Sequence, residues 1–321
     1  MRFVILGAGA VGGAVGGRLA LAGEEVALIA RGAQLEALRA RGLRLLAPDG
    51  AWEVAPPVVA HPAELSWRPG DTVLLATKTQ DAAAALVDLA TCAPPDTPVA
   101  CLTNGLEAER LALRWFERVH GVYVWLPASF LSPGTVELWF TGTYGCLDPG
   151  LATGGTDDVD AALTAAFARA GFRAAPRPDV MRWKRGKLVS NVANAVEALA
   201  GPDASDSDLA HRARAEARAV FAAAGLPLPS HDEERARHHG LTLGTIAGRA
   251  RGGGSTWQSL ARDAGSAESD YLNGEIARLG REHGVPTPVN VGLQRAIAWA
   301  VGEGLGPGAL TLAELAARVG A

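Results

Sequence analysis

The chain has 321 residues and a formal net charge of −4. That length allows two domains that each bury a core, and the small negative charge excludes nucleic-acid or membrane-surface functions that depend on overall charge. Three cysteines without metal or redox spacing (Cys92, Cys101 and Cys146) are typical of a reducing cytoplasm. No uninterrupted apolar run is long enough to span a bilayer. We therefore expect a two-domain cytoplasmic enzyme.

The first elements are a short apolar strand at 3–6, a glycine-rich turn and a helix at 13–21. The turn reads Gly7-Ala8-Gly9-Ala10-Val11-Gly12, the G-x-G-x-x-G pattern. In this pattern the first glycine permits a tight turn, the second lets the backbone approach a pyrophosphate, and the third lets the helix pack closely. The helix start offers N–H groups to phosphates. A second strand at 25–30 follows, so the sequence predicts an α/β, Rossmann-like dinucleotide-binding domain.

Arg31 follows the second strand, at the position that normally meets the adenosine ribose of the cofactor. An acidic residue there would bind the ribose 2′-OH and favour NAD, whereas an arginine accommodates the 2′-phosphate of NADP. Arg31 therefore favours NADP(H). The alternative is a solvated arginine at the start of a helix.

Two later strands end in polar residues. The apolar strand at 71–76 ends in Thr77-Lys78, and the strand at 98–102 ends in Thr103-Asn104. Ligands in open α/β sheets bind at the carboxyl ends of strands, so Lys78 and Asn104 are predicted to contact the cofactor. A solvated lysine and a turn-forming Asn-Gly are the alternatives. Segments 133–139 and 143–147 are interpreted as an antiparallel pair at the sheet edge.

Prolines at 176 and 178 indicate a domain junction. We predict an NADP-binding domain over 1–175 and a helical substrate, catalytic and dimerisation domain over 176–321. Because most charge runs are solvated, Arg182, Lys184 and Arg185 are interpreted as exposed residues.

The segment 187–196 is predicted to be one buried helix, because it is apolar around most of its circumference. Its polar exceptions, Lys187, Asn191 and Asn194, fall on one stripe. Buried polar groups cost free energy unless they are paired, so the stripe indicates a polar cleft. The alternative is a stripe that bonds a neighbouring helix. The rest of the chain is predicted to be helical, with His238 and His239 at the surface and no metal site.

These pieces together resemble the ketopantoate reductase (2-dehydropantoate 2-reductase) family, over nearly the whole chain and in order. The resemblance rests on seven motifs: Gly7 to Gly12, Thr77-Lys78-Thr79-Gln80, Asn104-Gly105, Trp183 with Lys187-Leu188 and Asn191, Ser255-Thr256, Glu268 with Asp270 and Asn273-Gly274, and Pro286-Thr287-Pro288-Val289-Asn290.

The resemblance implies an NADPH-dependent, homodimeric reductase with a helical C-terminal domain like that of 6-phosphogluconate dehydrogenase. It implies Lys187 and Glu268 as catalytic residues. It also implies that Asn191 and Thr256 bind a small 2-oxo acid, with the Thr256 hydroxyl on its carboxylate. Lys78 and Asn104 match the cofactor-side residues of the family.

The substrate pocket departs from the family at three positions. The second substrate asparagine of well-known members falls at Ala195, and Asn194 lies one residue earlier, so we assign the second substrate contact to Asn194. Thr256 replaces a serine, and Trp257 stands where the family favours methionine. Three readings follow: reduction of ketopantoate in pantothenate and coenzyme A biosynthesis, reduction of another 2-oxo acid or ketone, and a non-catalytic NADP-binding regulator.

Overall fold

The computed structural model describes residues 1–262 and 265–320. The chain forms two compact units. The first contains Met1–Lys184 and Glu234–Arg251, and the second contains Arg185–Glu233 and Gly252–Ala321. The division therefore falls beyond the 175/176 junction that the prolines predicted, and a short segment from the second half of the chain returns to the first unit.

The strands of the described residues form three sheets. In chain order they are β1 Arg2–Leu6, β2 Glu25–Ile29, β3 Leu43–Ala47, β4 Gly50–Val54, β5 Val58–Val59, β6 Asp71–Leu75, β7 Val99–Cys101, β8 Val119–Trp125, β9 Ala128–Ser132, β10 Thr135–Leu138, β11 Phe140–Thr141, β12 Cys146–Leu151 and β13 Thr242–Leu243.

The α-helices of the described residues are α1 Ala10–Leu21, α2 Gly32–Arg41, α3 Thr79–Ala90, α4 Glu107–Ala112, α5 Asp158–Arg169, α6 Val180–Asn191, α7 Asn194–Ala200, α8 Asp208–Ala223, α9 His231–His238, α10 Ser255–Ala261, α11 Asn273–His283, α12 Pro288–Gly302 and α13 Leu312–Val319. Short 3-10 helices cover Pro62–Glu64, Pro202–Asp206 and Glu268–Tyr271.

The main sheet of the first unit has seven strands in the order β12-β8-β7-β6-β1-β2-β5. Every neighbouring pair is parallel except β12 with β8. Both faces of β1 are buried: Phe3 and Ile5 lie in one hydrophobic core, and Val4 and Leu6 lie in the other. A strand covered on both faces needs an uninterrupted apolar run, which is why β1 and β6 were recognisable in the sequence. The predicted Rossmann-like α/β domain is confirmed.

The antiparallel pair predicted from 133–139 and 143–147 is wrong. β10 pairs antiparallel with β9 and parallel with β3, in a separate four-stranded sheet. β12 pairs instead with β8 at the edge of the main sheet. The two segments are close in sequence, but each finds its partner elsewhere in the unit.

The second unit is helical in its described residues, as predicted for the C-terminal part of the chain. Local signals set several helix boundaries. Gly284 adopts the left-handed conformation (φ +69°) that closes α11, and Pro288 is the first residue of α12. None of the helices in the described residues has the length and apolarity needed to cross a membrane.

Candidate active site

The glycine-rich turn joins β1 to α1, and its three glycines have different surroundings. Gly7 has φ +103°, and a Cβ atom there would lie 2.8 Å from the Thr77 nitrogen. A Cβ on Gly12 would lie 2.2 Å from the Gly7 carbonyl oxygen. A Cβ on Gly9 would meet no atom within 4 Å. The backbone therefore excludes side chains at the first and third glycines and leaves the second open, which fits a bound pyrophosphate.

Gln34 holds this turn through two hydrogen bonds, a role that the sequence analysis did not predict. Its Nε2 donates to the Ala8 carbonyl (2.8 Å), and its Oε1 accepts from the Gly134 N–H (2.7 Å). One side chain of α2 thus connects the glycine turn to the β9–β10 turn. In the sequence, this role was indicated only by the position of Gln34, a polar residue on the buried side of a predicted helix.

The two kinds of glycine predict two kinds of variant. Gly9→Ala should keep the melting temperature of the wild type, because the added methyl group meets no protein atom, and should weaken NADPH binding about tenfold by filling the phosphate approach. Gly12→Ala should lower the melting temperature. Calorimetry and titration of NADPH fluorescence measure the two effects. Wild-type affinity in Gly9→Ala would contradict this assignment.

Arg31 lies two residues beyond the end of β2 and directly precedes the first residue of α2. Its Nη2 is 2.7 Å from an Asp88 oxygen, and the arginine side chain is 63% exposed. His61 approaches the same carboxylate, with its Nε2 at 3.5 Å. An exposed ion pair of this kind contributes little to stability, so a phosphate can replace Asp88 as the partner of Arg31.

Lys78 and Asn104 lie at the carboxyl ends of adjacent parallel strands, β6 and β7. Both are half-buried. The Thr79 hydroxyl donates to the Asn104 carbonyl (3.3 Å), so the two loops are in contact. The structure therefore brings together the two residues that the strand-end argument selected.

The single helix predicted over 187–196 is wrong, because α6 ends at Asn191 and α7 begins at Asn194. The Val192 carbonyl accepts a hydrogen bond from Asn273 Nδ2 (2.9 Å), and the Val196 N–H bonds the Ala193 carbonyl instead. A distant side chain thus takes the acceptor that would continue the helix. Asn191 is buried, whereas Lys187 and Asn194 are half-buried.

Asn273 also belongs to a buried hydrogen-bond network that reaches two other helices of the second unit. Asn273 Nδ2 donates to Asn290 Oδ1 (3.0 Å), and Asn290 Nδ2 donates to a Glu216 oxygen (2.8 Å). Asn273 and Asn290 are fully buried. Glu268 is 6% exposed, in the short helix that precedes Asn273. The network therefore joins the segment that carries Glu268 to the end of α6, where Asn191 lies.

Thr256 lies in the first turn of α10 and is 3% exposed. The Gly254 N–H donates to Glu197 Oε1 (3.2 Å). A Cβ on Gly254 would lie 2.8 Å from Glu197 Oε2 and 3.7 Å from Asn194 Oδ1. Glu197 thus ties the α10 start to α7, and the Thr256 segment lies beside Asn194. The sequence analysis missed Glu197; an acidic residue three positions after Asn194 in an apolar helix was the available signal.

Comparison with known proteins identifies a family that has both parts of this chain. Residues 3–146 match the model of the ketopantoate reductase PanE/ApbA family, and residues 179–298 match the model of its C-terminal domain. The chain belongs to the ketopantoate reductase family. It is an oxidoreductase that acts on CH–OH groups, and its cofactor is NADP(H).

Named relatives in this family match most of the chain. The chain is 32% identical over 298 residues to a 2-dehydropantoate 2-reductase of Caulobacter vibrioides, covering 89% of this chain and 94% of the relative. It is 29% identical over 319 residues to a 2-dehydropantoate 2-reductase of Mesorhizobium japonicum, covering 90% and 94%. The crystal structure of a PanE/ApbA family ketopantoate reductase from Ralstonia eutropha JMP134 is 29% identical, with a TM-score of 0.79 over 95% of this chain and 99% of that one.

Two interpretations of polar residues in the first unit need correction. Lys184 is buried, with 3% of its surface exposed, and is not a solvated residue. His238, predicted at the surface, is half-buried: its ring stacks on Trp125 with centroids 4.1 Å apart, and its Nε2 lies 2.7 Å from the Tyr123 hydroxyl.

One group in the described residues places possible metal ligands close together: His120, Asp157 and Asp160. Asp157 already has a cationic partner, because Arg118 Nη2 lies 2.7 Å from an Asp157 oxygen. Asp160 accepts from the Asp157 N–H (3.0 Å), and Asp157 accepts from the Asp160 N–H (3.2 Å), which forms the capping box of α5. These carboxylates are accounted for by helix capping and ion pairing.

Proposed function

We propose that this enzyme reduces the ketone carbonyl of a 2-oxo acid, and that the acid is 2-dehydropantoate, reduced to pantoate in pantothenate and coenzyme A biosynthesis. The observation that carries the proposal is the hydrogen-bond network of the second unit. Asn273 joins the Glu268 segment to the end of α6, and Glu197 joins the Thr256 segment to α7. The named relatives carry the same activity in their names.

The reaction needs a cation and a proton at the substrate oxygen. NADPH held by the glycine turn, Arg31, Lys78 and Asn104 would supply the hydride that the carbonyl carbon needs. Lys187, on the last turns of α6, stabilises the negative charge that develops on the carbonyl oxygen and then donates a proton to it. A protonated lysine can do both, which is why we assign this step to Lys187.

The other polar groups bind and orient the substrate. Thr256 donates its hydroxyl to the substrate carboxylate, and Asn191 and Asn194 hold substrate oxygens through amides that both donate and accept. Glu268 accepts a hydrogen bond from a substrate hydroxyl and orients Lys187. A buried carboxylate such as Glu268 strongly favours substrates that carry this hydroxyl. A substrate without the hydroxyl would leave the carboxylate poorly solvated, which costs free energy.

A second candidate is a related reductase that acts on a different 2-oxo acid or ketone. The Trp257 ring packs across Gly252 and Gly253, where added Cβ atoms would lie 2.6 Å and 2.4 Å from it. This aromatic group directly follows Thr256, and Ala195 is a buried apolar residue where the family has a second asparagine. Both changes alter the shape of the pocket more than the chemistry of reduction.

A matched pair of substrates tests the proposal. Ketopantoate and 3-methyl-2-oxobutanoate differ by one hydroxymethyl group, which is the group that Glu268 should bind. We expect kcat/KM for ketopantoate to be higher by a factor on the order of 100 or more, measured by NADPH oxidation. A preference for a different 2-oxo acid in the same assay would select the second candidate. No turnover of any 2-oxo acid would refute the proposed reduction.

We also propose a homodimer and a cytoplasmic location. The dimer rests on the family resemblance. The location rests on the three cysteines, which are free thiols, and on the burial of Cys101 and Cys146. Burial raises the pKa of the Cys101 thiol well above its usual range, which keeps that thiol protonated and unreactive.

A further inference from the structure

Lysine is rare in this chain. Of 30 basic residues, only Lys78, Lys184 and Lys187 are lysines, and arginine supplies the rest. The proposed function uses Lys78 and Lys187. Lys184 has no role in it, yet it is among the most buried charged residues of the molecule.

The contacts of Lys184 come from three elements of the first unit. Its Nζ lies 2.6 Å from Glu109 Oε1, on α4, and both side chains are at most 2% exposed. The same Nζ donates to the Thr103 carbonyl (2.9 Å), just beyond β7. Its stem passes over β8, where a Cβ on Gly121 would lie 3.4 Å from Lys184 Cδ. A compact ammonium on a flexible stem suits this space better than a planar guanidinium.

The Thr103 carbonyl directly precedes Asn104. On the other side, the Asn104 carbonyl accepts from the Thr79 hydroxyl, and Gly105 reverses the chain with φ +72°. The backbone is therefore held before and after the Asn104 side chain. Removing the bond from Lys184 to the Thr103 carbonyl would release the backbone on the side that precedes Asn104.

The sheet order shows which part of the cofactor this loop faces. The pyrophosphate site follows β1, and the adenosine ribose belongs at the end of β2. The β6 and β7 ends lie on the other side of β1, so the nicotinamide half extends toward them. Loop 103–105 thus belongs to the nicotinamide half of the site.

We propose that Lys184 and Glu109 form a positioning pair that holds loop 103–105, so that Asn104 is preorganised for the nicotinamide half of NADPH. The proposal rests on the proposed cofactor role of Asn104. Burying an ion pair stabilises a fold little compared with apolar residues of similar size. Holding a functional loop is therefore the better explanation for this pair.

The test uses the double variant Lys184→Met with Glu109→Gln, which avoids leaving one buried charge unpaired. Its probes are NADPH and adenosine 2′,5′-bisphosphate, which lacks the nicotinamide half. We expect the Kd for NADPH to rise about tenfold, as the loss of one well-placed hydrogen bond predicts, and the Kd for the bisphosphate to stay the same. If the double variant does not fold, the same two Kd values are compared in Lys184→Arg, which keeps the charge and changes its shape.

An Asn104→Ala background shows whether the pair acts through Asn104. There the double substitution should cause no further loss of NADPH affinity, although its effect on melting temperature should remain. Additive losses of affinity, or equal losses for both probes, would overturn the proposal. Failure of the wild type to bind NADPH would instead refute the cofactor assignment.

A matched control is available at the amino ends of two central strands of the same sheet. Half-buried Arg2 and buried Asp71 form an ion pair at the start of β1 and β6, with Arg2 Nη2 2.7 Å from an Asp71 oxygen. The double variant Arg2→Met with Asp71→Asn should lower the melting temperature without changing the Kd for NADPH. A tenfold loss in this control would show that affinity follows stability alone and would overturn the positioning role.

Discussion

Replacing Lys187 by alanine should lower kcat by about a thousandfold or more while the enzyme still binds NADPH. The variant loses both the cation near the developing oxyanion and the proton donor, and each effect alone contributes about a hundredfold or more. NADPH binding should persist, because the glycine turn, Arg31, Lys78 and Asn104 are all untouched. Single-turnover oxidation of NADPH and fluorescence titration measure the two quantities.

Lys187→Arg separates the two roles of the side chain. The guanidinium keeps its charge but does not release a proton near neutral pH, so it should restore only the electrostatic part of the rate. Arg182→Ala is the matched control, since Arg182 lies on the same helix and pairs with Asp179 at 3.0 Å. Near-normal turnover of Lys187→Ala would refute the catalytic assignment.

Replacing Arg31 by alanine should weaken NADPH binding about 10- to 100-fold and leave NADH binding almost unchanged. A charge-assisted hydrogen bond between Arg31 and the 2′-phosphate accounts for this range, and NADH lacks that phosphate. The Kd values of both nucleotides, measured at one ionic strength, check the prediction because exposed charges are screened by salt.

Arg39→Ala controls for the loss of one positive charge, because Arg39 lies on α2, the helix that Arg31 directly precedes. Arg39 is 53% exposed and lies 3.8 Å from Glu64, away from the end of β2. The Arg39→Ala variant should bind NADPH and NADH with the affinities of the wild type. Equal losses for NADPH and NADH in Arg31→Ala would mean that Arg31 does not recognise the 2′-phosphate.

Much of the first unit was predictable from local sequence. The uninterrupted apolar runs of β1 and β6 follow from burial on both faces of the sheet. The glycine pattern specified the tight turn at Gly7, which needs a positive φ, and the close packing at Gly12, whose nearest neighbour is the Gly7 carbonyl earlier in the same motif. The strand-end rule placed Lys78 and Asn104 near each other, because β6 and β7 are parallel and their carboxyl ends lie on the same side of the sheet.

Interactions between distant segments were decided only by the tertiary structure. The break between α6 and α7 depends on Asn273, which takes the Val192 carbonyl from far along the chain. The burial of Lys184 depends on Glu109, which sits on another helix. Hydrophobic periodicity reports which face of an element is covered, whereas the partner of a polar group depends on which distant segment the fold brings within hydrogen-bond distance. The sequence by itself therefore determined the cofactor fold and the candidate residues, and the fold determined how those residues are held.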